Sequence, residues 1–140
     1  MKELTGKLVA INPSLTNDPS YRQGQIGIIT MADLNSDTIS VGFSSGQMGK
    51  YSSDSLVILK DKRELYQDIM NGVKGMDSET FKNLLDINMK QEYADYGHQS
   101  AAMKIALSNP ELLKRSTVSL EHHLAISQEK EVNHETDFER

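Results

Sequence analysis

The sequence predicts an α+β protein, a β-rich stretch from Met1 to Lys60 followed by a helical unit of three to four helices. Three observations carry this. Short apolar runs broken by Gly, Pro, Asn and Asp crowd the chain as far as Lys60; apolar residues recur at helical spacing from Leu65 onward; and the composition shifts at Asp61, where a helix start signal appears. The division is therefore residues 1–60, residues 61–128, and a polar tail at 129–140 with little to bury, expected to be frayed or disordered.

Leu4 to Asn12 reads as the first strand, apolar on both faces so that neither is marked as inward. Asn12 to Tyr21, with Pro13 and Pro19, is a loop longer than the usual connection of about 4 to 6 residues, the kind that carries binding residues. Gly24 and Gly27 then allow a tight turn feeding a strand through Met31, in which Ile26, Ile28, Ile29 and Met31 offer apolar contacts to both faces. Asp33, Asn35, Ser36 and Asp37 form a hairpin turn. Thr38 to Phe43 alternates cleanly, with Ile39, Val41 and Phe43 on one face; Ser44 to Lys50 is a turn, Lys50 to Ser52 a short strand, and Leu56 to Leu59 closes the unit.

Asp61 with Glu64 can form a capping box for a helix carrying Leu65, Ile69 and Val73, ended by Gly75. Asp77 or Ser78 caps a second helix with a stripe of Phe81, Leu84, Leu85 and Met89. Gly97 marks a break before a short helix at Ser100 to Ser108. Asn109 and Pro110 restart the chain as a last helix, with Leu113, Thr117, Leu120 and Leu124 on one narrow stripe. Leu113, Leu120 and Leu124 are the residues expected to pack on the other helices or on a second copy, which makes a homodimer through this helix an expectation.

The opening strand, the Gly24-Gln25-Ile26-Gly27-Ile28-Ile29 element, the strand Thr38 to Phe43, the Gly46 turn, Tyr51 and Leu56 to Leu59 together resemble the small Src-homology-3-like β-barrels of the KOW type. The resemblance extends only as far as Lys60, and the long first loop departs from the compact KOW unit. It implies a module that binds RNA, peptides or neighbouring protein surfaces, and the fold by itself does not choose among them.

Charge narrows the choice. The net charge is −5, and counting along the chain places all of it after Lys60, leaving the β-rich part balanced. Neither part has the positive excess with which a nucleic-acid binder neutralises several phosphates. Tyr21, Arg22, Lys50 and Tyr51 are the candidate binding surface, a combination of aromatic and basic groups suited to a peptide or to stacked bases. Phe43 reads as core, since it continues the Ile39 and Val41 face.

No catalytic constellation emerges. The absence of cysteine removes disulfides, thiolate ligands and thiol nucleophiles and fits a reducing, cytoplasmic address. His122 and His123 are adjacent, point to different sides of a helix and lack a partner four residues on, so no metal site and no cofactor is expected. His98 with Glu121 is an acid-base pair only if the fold unites them. Gly24 to Gly27 lacks the following Lys-Ser or Lys-Thr of a phosphate loop, and no serine stands in a nucleophile elbow. The reading is a non-enzymatic interaction or adaptor protein with a protein or peptide partner and no membrane association; RNA binding through the barrel is the alternative, and an enzyme with an unrecognised site the third.

Overall fold

A computed structural model describes residues 4–15 and 22–125. The chain is α+β: six strands in one antiparallel sheet and a set of helices packed on part of it. The strands are β1 (Leu8–Ile11), β2 (Ile26–Asp33), β3 (Thr38–Phe43), β4 (Met48–Tyr51), β5 (Leu56–Leu59) and β6 (Thr117–Ser119), in the spatial order β4-β3-β2-β1-β5-β6. The helices are α1 (Lys62–Gly72), α2 (Ser78–Lys90), α3 (Tyr96–Leu107), α4 (Pro110–Ser116) and a segment, α5, over residues 120–125.

Strands β1 and β5 are apolar on both faces because both faces are covered. Val9, Ile11, Leu56 and Ile58 point into one core with Ile29, Ile39, Val41 and Phe43. The alternate residues Ala10 and Val57 point into a second core made by the helices, with Leu65, Ile69, Leu84, Ile87, Ala102, Met103, Ala106 and Leu112. A strand sandwiched between two cores reads as a continuous apolar run, which is why its pattern alone assigns no inward face.

Strand β2 carries a bulge. Its register with β3 shifts between Ile29 and Met31, so that Ile29 and Ala32 both face the first core while Met31 is 67% exposed. Met31 therefore lacks the apolar contact its place in the strand predicts. Gly27, paired with Phe43, has no room for a side chain: a Cβ there would lie 2.5 Å from Val41 Cγ1 and 2.8 Å from the Gly42 carbonyl oxygen. Gly24, at φ +80°, supplies the expected turn into the strand. Strand β4 begins at Met48, inside the stretch that reads as a turn.

The helix starts follow their signals. Asp61 accepts a hydrogen bond from the Arg63 N–H at 3.1 Å, Asp77 from Thr80 at 2.7 Å and Asn109 from Leu112 at 2.8 Å, with Pro110 in the first turn. Gly97 does not break the chain; it lies inside α3, whose N-cap is Asp95. Helix α1 tightens into a 3-10 turn over Val73–Gly75, leaving Val73 exposed, and Met89 at the end of the α2 stripe is 66% exposed.

The last helix departs furthest from expectation. It does not run on from Pro110 through Leu124: α4 stops at Ser116, and Thr117–Ser119 pairs antiparallel with β5 through Leu59↔Thr117, Ile58↔Val118 and Val57↔Ser119. The Ser116 and Thr117 hydroxyls donate to the Leu112 and Leu113 carbonyls, both at 2.6 Å, so side chains close the helix end while the backbone turns extended. The expected leucine stripe is thereby split. Leu113 packs on the helical core, whereas Leu120, fully buried, and Leu124 pack on the sheet core.

The stretch 16–21 in the first loop and the tail from residue 126 lie outside the described residues. Among the described residues no helix is long and apolar enough to cross a membrane.

Candidate functional site

Of the residues expected to form a binding surface, two come together. Tyr21 lies outside the described residues. Arg22 and Tyr51 do meet: Arg22 Nη1 donates to the Tyr51 hydroxyl at 3.5 Å, Nη2 donates to Gln47 Oε1 at 3.3 Å, and the guanidinium carbon stands 4.9 Å from the centre of the Phe43 ring. Gly49 makes this contact possible, since a Cβ at that position would lie 2.6 Å from Arg22 Nη1. Lys50 is exposed and takes the opposite side of β4 from Gly49 and Tyr51, as strand alternation requires. Arg22 thus braces the end of the first loop against β3 and β4 through a cation-π contact and hydrogen bonds, and the basic-aromatic surface lacks its lysine.

A different site arises where the sheet meets the helices. A groove with a volume of about 850 Å³ crosses the end of the sheet where β1 begins and β5 ends. Leu8, Ile28, Leu59 and Val118 give it apolar lining; the first turn of α1, the α2 to α3 connection and His122 and His123 of α5 supply polar walls. Its volume is within the roughly 300–1,000 Å³ of ligand sites.

The walls are held by side chains that reach across elements. Gln91 Nε2 donates to the Lys60 carbonyl at 2.8 Å and Asn88 Nδ2 to the Lys62 carbonyl at 2.9 Å, latching the start of α1 to the end of α2. Lys62 pairs with Glu92 at 2.9 Å over the same junction, and Lys60 pairs with Asp68 at 2.8 Å. Across the groove, Gln99 Nε2 donates to the Tyr93 carbonyl at 2.6 Å, shaping the approach to α3.

His98 does not meet Glu121. Its Nδ1 lies 2.6 Å from Asp95 Oδ1, its backbone N–H donates to Asp95 Oδ2 at 3.0 Å, and its ring stacks on Tyr93 with centroids 4.2 Å apart. The backbone hydrogen bond from His98, followed by the contact with its ring, holds the Asp95 carboxyl below the usual carboxylate range. This is helix-cap chemistry.

Within the groove, most polar side chains serve the fold. Lys7, Glu64, Tyr96 and His122 are the exceptions: none has a side-chain hydrogen bond or ion pair among the described residues. Together they offer an ammonium, a carboxylate, a phenol and an imidazole. Among the described residues no group of three or more His, Asp or Glu could hold a metal ion.

Sequence reasoning misses this groove because its lining is drawn from positions 6 to 123 and no short motif spans them. The one local signal is the His122-His123 pair, whose adjacency argues against a metal site but gives no hint of a cleft wall. Comparison with protein-family models, curated proteins and solved structures returned no match.

Proposed function

We propose that the protein is a non-enzymatic interaction protein that holds a peptide segment of a partner protein in the groove between the sheet and the helices. The observation that carries this is four polar side chains of different chemistry, without partners among the described residues, set around an apolar lining in one cleft. Such a mixture suits a polypeptide, whose side chains alternate apolar and polar contacts. The antiparallel order of the first five strands is in keeping with the resemblance to small barrels, many of which bind peptides. Arg22, a candidate contact for peptide and RNA alike, is engaged with Phe43, Gln47 and Tyr51, which moves the reading from that surface to the groove.

Selection of a random heptapeptide display library on the full-length chain tests the reading. Enriched peptides should bind the parent protein and lose affinity on Tyr96→Ala, a substitution at a half-exposed position that leaves both cores untouched. Failure to enrich any peptide would count against it. Enriched peptides insensitive to Tyr96→Ala but lost on Arg22→Ala would move the site to the Arg22 and Tyr51 surface.

A further inference from the structure

We infer that the free edge of β4 pairs antiparallel with β4 of a second copy of this chain, Gly49 facing Gly49 across a two-fold axis, so that one sheet runs through both copies. This surface is separate from the groove and does not depend on it.

The phase of the hydrogen bonds between β3 and β4 decides which backbone groups are free. The Phe43 N–H donates to the Gln47 carbonyl at 2.9 Å, which makes Phe43 and Gln47 a hydrogen-bonded pair. In the register Gly42↔Met48, Val41↔Gly49, Ser40↔Lys50, Ile39↔Tyr51, alternation then gives Gly49 and Tyr51 their bonds to β3. Met48 and Lys50 turn their N–H and C=O groups the other way. On that side β4 is the last strand of the sheet, so among the described residues no strand meets them. Met48 is 57% exposed and Lys50 is exposed. The opposite edge is closed: Thr117 of β6 is buried, and its N–H donates to the Leu113 carbonyl at the end of α4. An open row of backbone donors and acceptors is a template for one more strand.

The free groups at positions 48 and 50 are symmetric about Gly49, so the edge is complementary to itself. With Gly49 on the axis, Met48 pairs with the partner's Lys50 and Lys50 with the partner's Met48, each copy donating two hydrogen bonds and accepting two. The two Gly49 residues form the close pair between them, with no side chains to collide. On the outer face each lysine stem lies along a methionine, and no lysine faces a lysine. Sliding the strands so that Lys50 meets Lys50 would set like charges opposite, and this fixes the register. Long-range charge agrees. Residues 1–60 are balanced and the whole net charge of −5 lies beyond them, so pairing through β4 joins the neutral parts and keeps the acidic parts apart. The groove has no lining residue from β3 or β4 and stays open in both copies, which gives a ligand with two binding segments two sites to occupy at once.

Sedimentation equilibrium of the full-length chain in about 0.3 M sodium chloride, where repulsion between the copies is screened, tests this. The interface is smaller than the roughly 1,600 Å² of standard complexes, so the mass should rise from one chain toward two between about 20 μM and 1 mM. Lys50→Pro should hold it at one chain over that range, because proline removes the outward N–H and no bond to β3 is lost. The chain has no cysteine, so introduced thiols can trap the register. Paired residues have Cα atoms about 5.5 Å apart, within disulfide reach, whereas the two copies of residue 48 are diagonal neighbours at about 7–8 Å. On oxidation, a mixture of Met48→Cys and Lys50→Cys chains should therefore give a mixed disulfide dimer at least about fivefold more abundant than the dimer of either variant alone. This trap decides the matter even if Lys50→Pro unfolds. A chain that stays single to about 1 mM overturns the inference. So does a dimer that a folded Lys50→Pro variant retains, or one that the thiol mixture does not trap, since either places the contact elsewhere. None of these results bears on peptide binding in the groove, which the display selection tests by itself.

Discussion

Leu120→Ala tests the architecture most directly, because Leu120 reaches from the C-terminal part of the chain into a core whose other fully buried members precede Lys60. Its side chain is fully buried among Val9, Ile11, Ile29, Ile39, Val41, Phe43, Leu56 and Ile58 or their immediate neighbours. Alanine leaves a cavity in a site walled by strands that cannot collapse freely, at a cost of about 2–5 kcal/mol. Against a typical total of about 5–15 kcal/mol this is a large fraction, and at about 3 kcal/mol the melting temperature should fall by roughly 10 °C. Urea unfolding followed by helical ellipticity and by tyrosine fluorescence should show both midpoints shifting downward together. The mass in light scattering should not change, since the side chain is consumed within one chain and is not a dimer contact. An unchanged stability would refute the burial; two midpoints that separate in the variant would show that the chain does not unfold as one unit.

Gly27→Ala should destabilise by about 1–3 kcal/mol through overpacking, because one of the atoms its methyl would meet is the Gly42 carbonyl oxygen, which cannot turn aside; a parent-like denaturation midpoint would contradict this. The pH dependence of the helix starts has a definite sign. The Asp77 carboxyl is lowered by the backbone hydrogen bond from Thr80 and then by the Thr80 side chain, and that of Asp95 by His98. Groups with depressed folded values stabilise the fold above the ordinary Asp value of about 3.9 and lose that contribution as pH falls through the folded value. Amide protection in the first turns of α2 and α3 should therefore hold down to about pH 4 and fall below it, and in Asp77→Asn and Asp95→Asn variants this acid loss should vanish.

Much of the architecture is legible in the sequence because it is written locally. Asp61, Asp77 and Asn109 mark helix starts by the same hydrogen bonds they make in the fold, and Ile39, Val41 and Phe43 alternate as a strand with one buried face. What escapes is decided by distant residues. Met31 has strand chemistry, but a bulge turns it outward; Gly97 is a poor helix former, yet the Asp95 cap starts α3 ahead of it. Thr117 to Ser119 fits the periodicity of the preceding helix, and only pairing with β5 makes it a strand. Its β-branched Thr117 and Val118, behind the hydroxyl of Ser116, are the available hint. For the binding surface, Arg22 and Tyr51 come together as the sequence suggests, while Lys50 is lost to strand alternation. The groove is not legible in advance, because nothing local links Lys7 to Tyr96 or His122.

The distance in sequence between the groove's walls ties the groove itself to the folding of the whole chain. The groove exists only where β1 and β5 lie beside α1, the α2 to α3 connection, β6 and α5, so neither the chain before Asp61 nor the helices contain it alone. The strand that makes this possible is β6, three residues long, which carries the chain back to the sheet and places Leu120 in one core just ahead of the His122 and His123 wall of the cleft. Packing at Leu120 thus fixes the position of α5 and, through it, the two histidines that line the groove. A ligand bound across this junction contacts elements from both cores at once, and it therefore stabilises their association to a degree set by its concentration relative to its Kd.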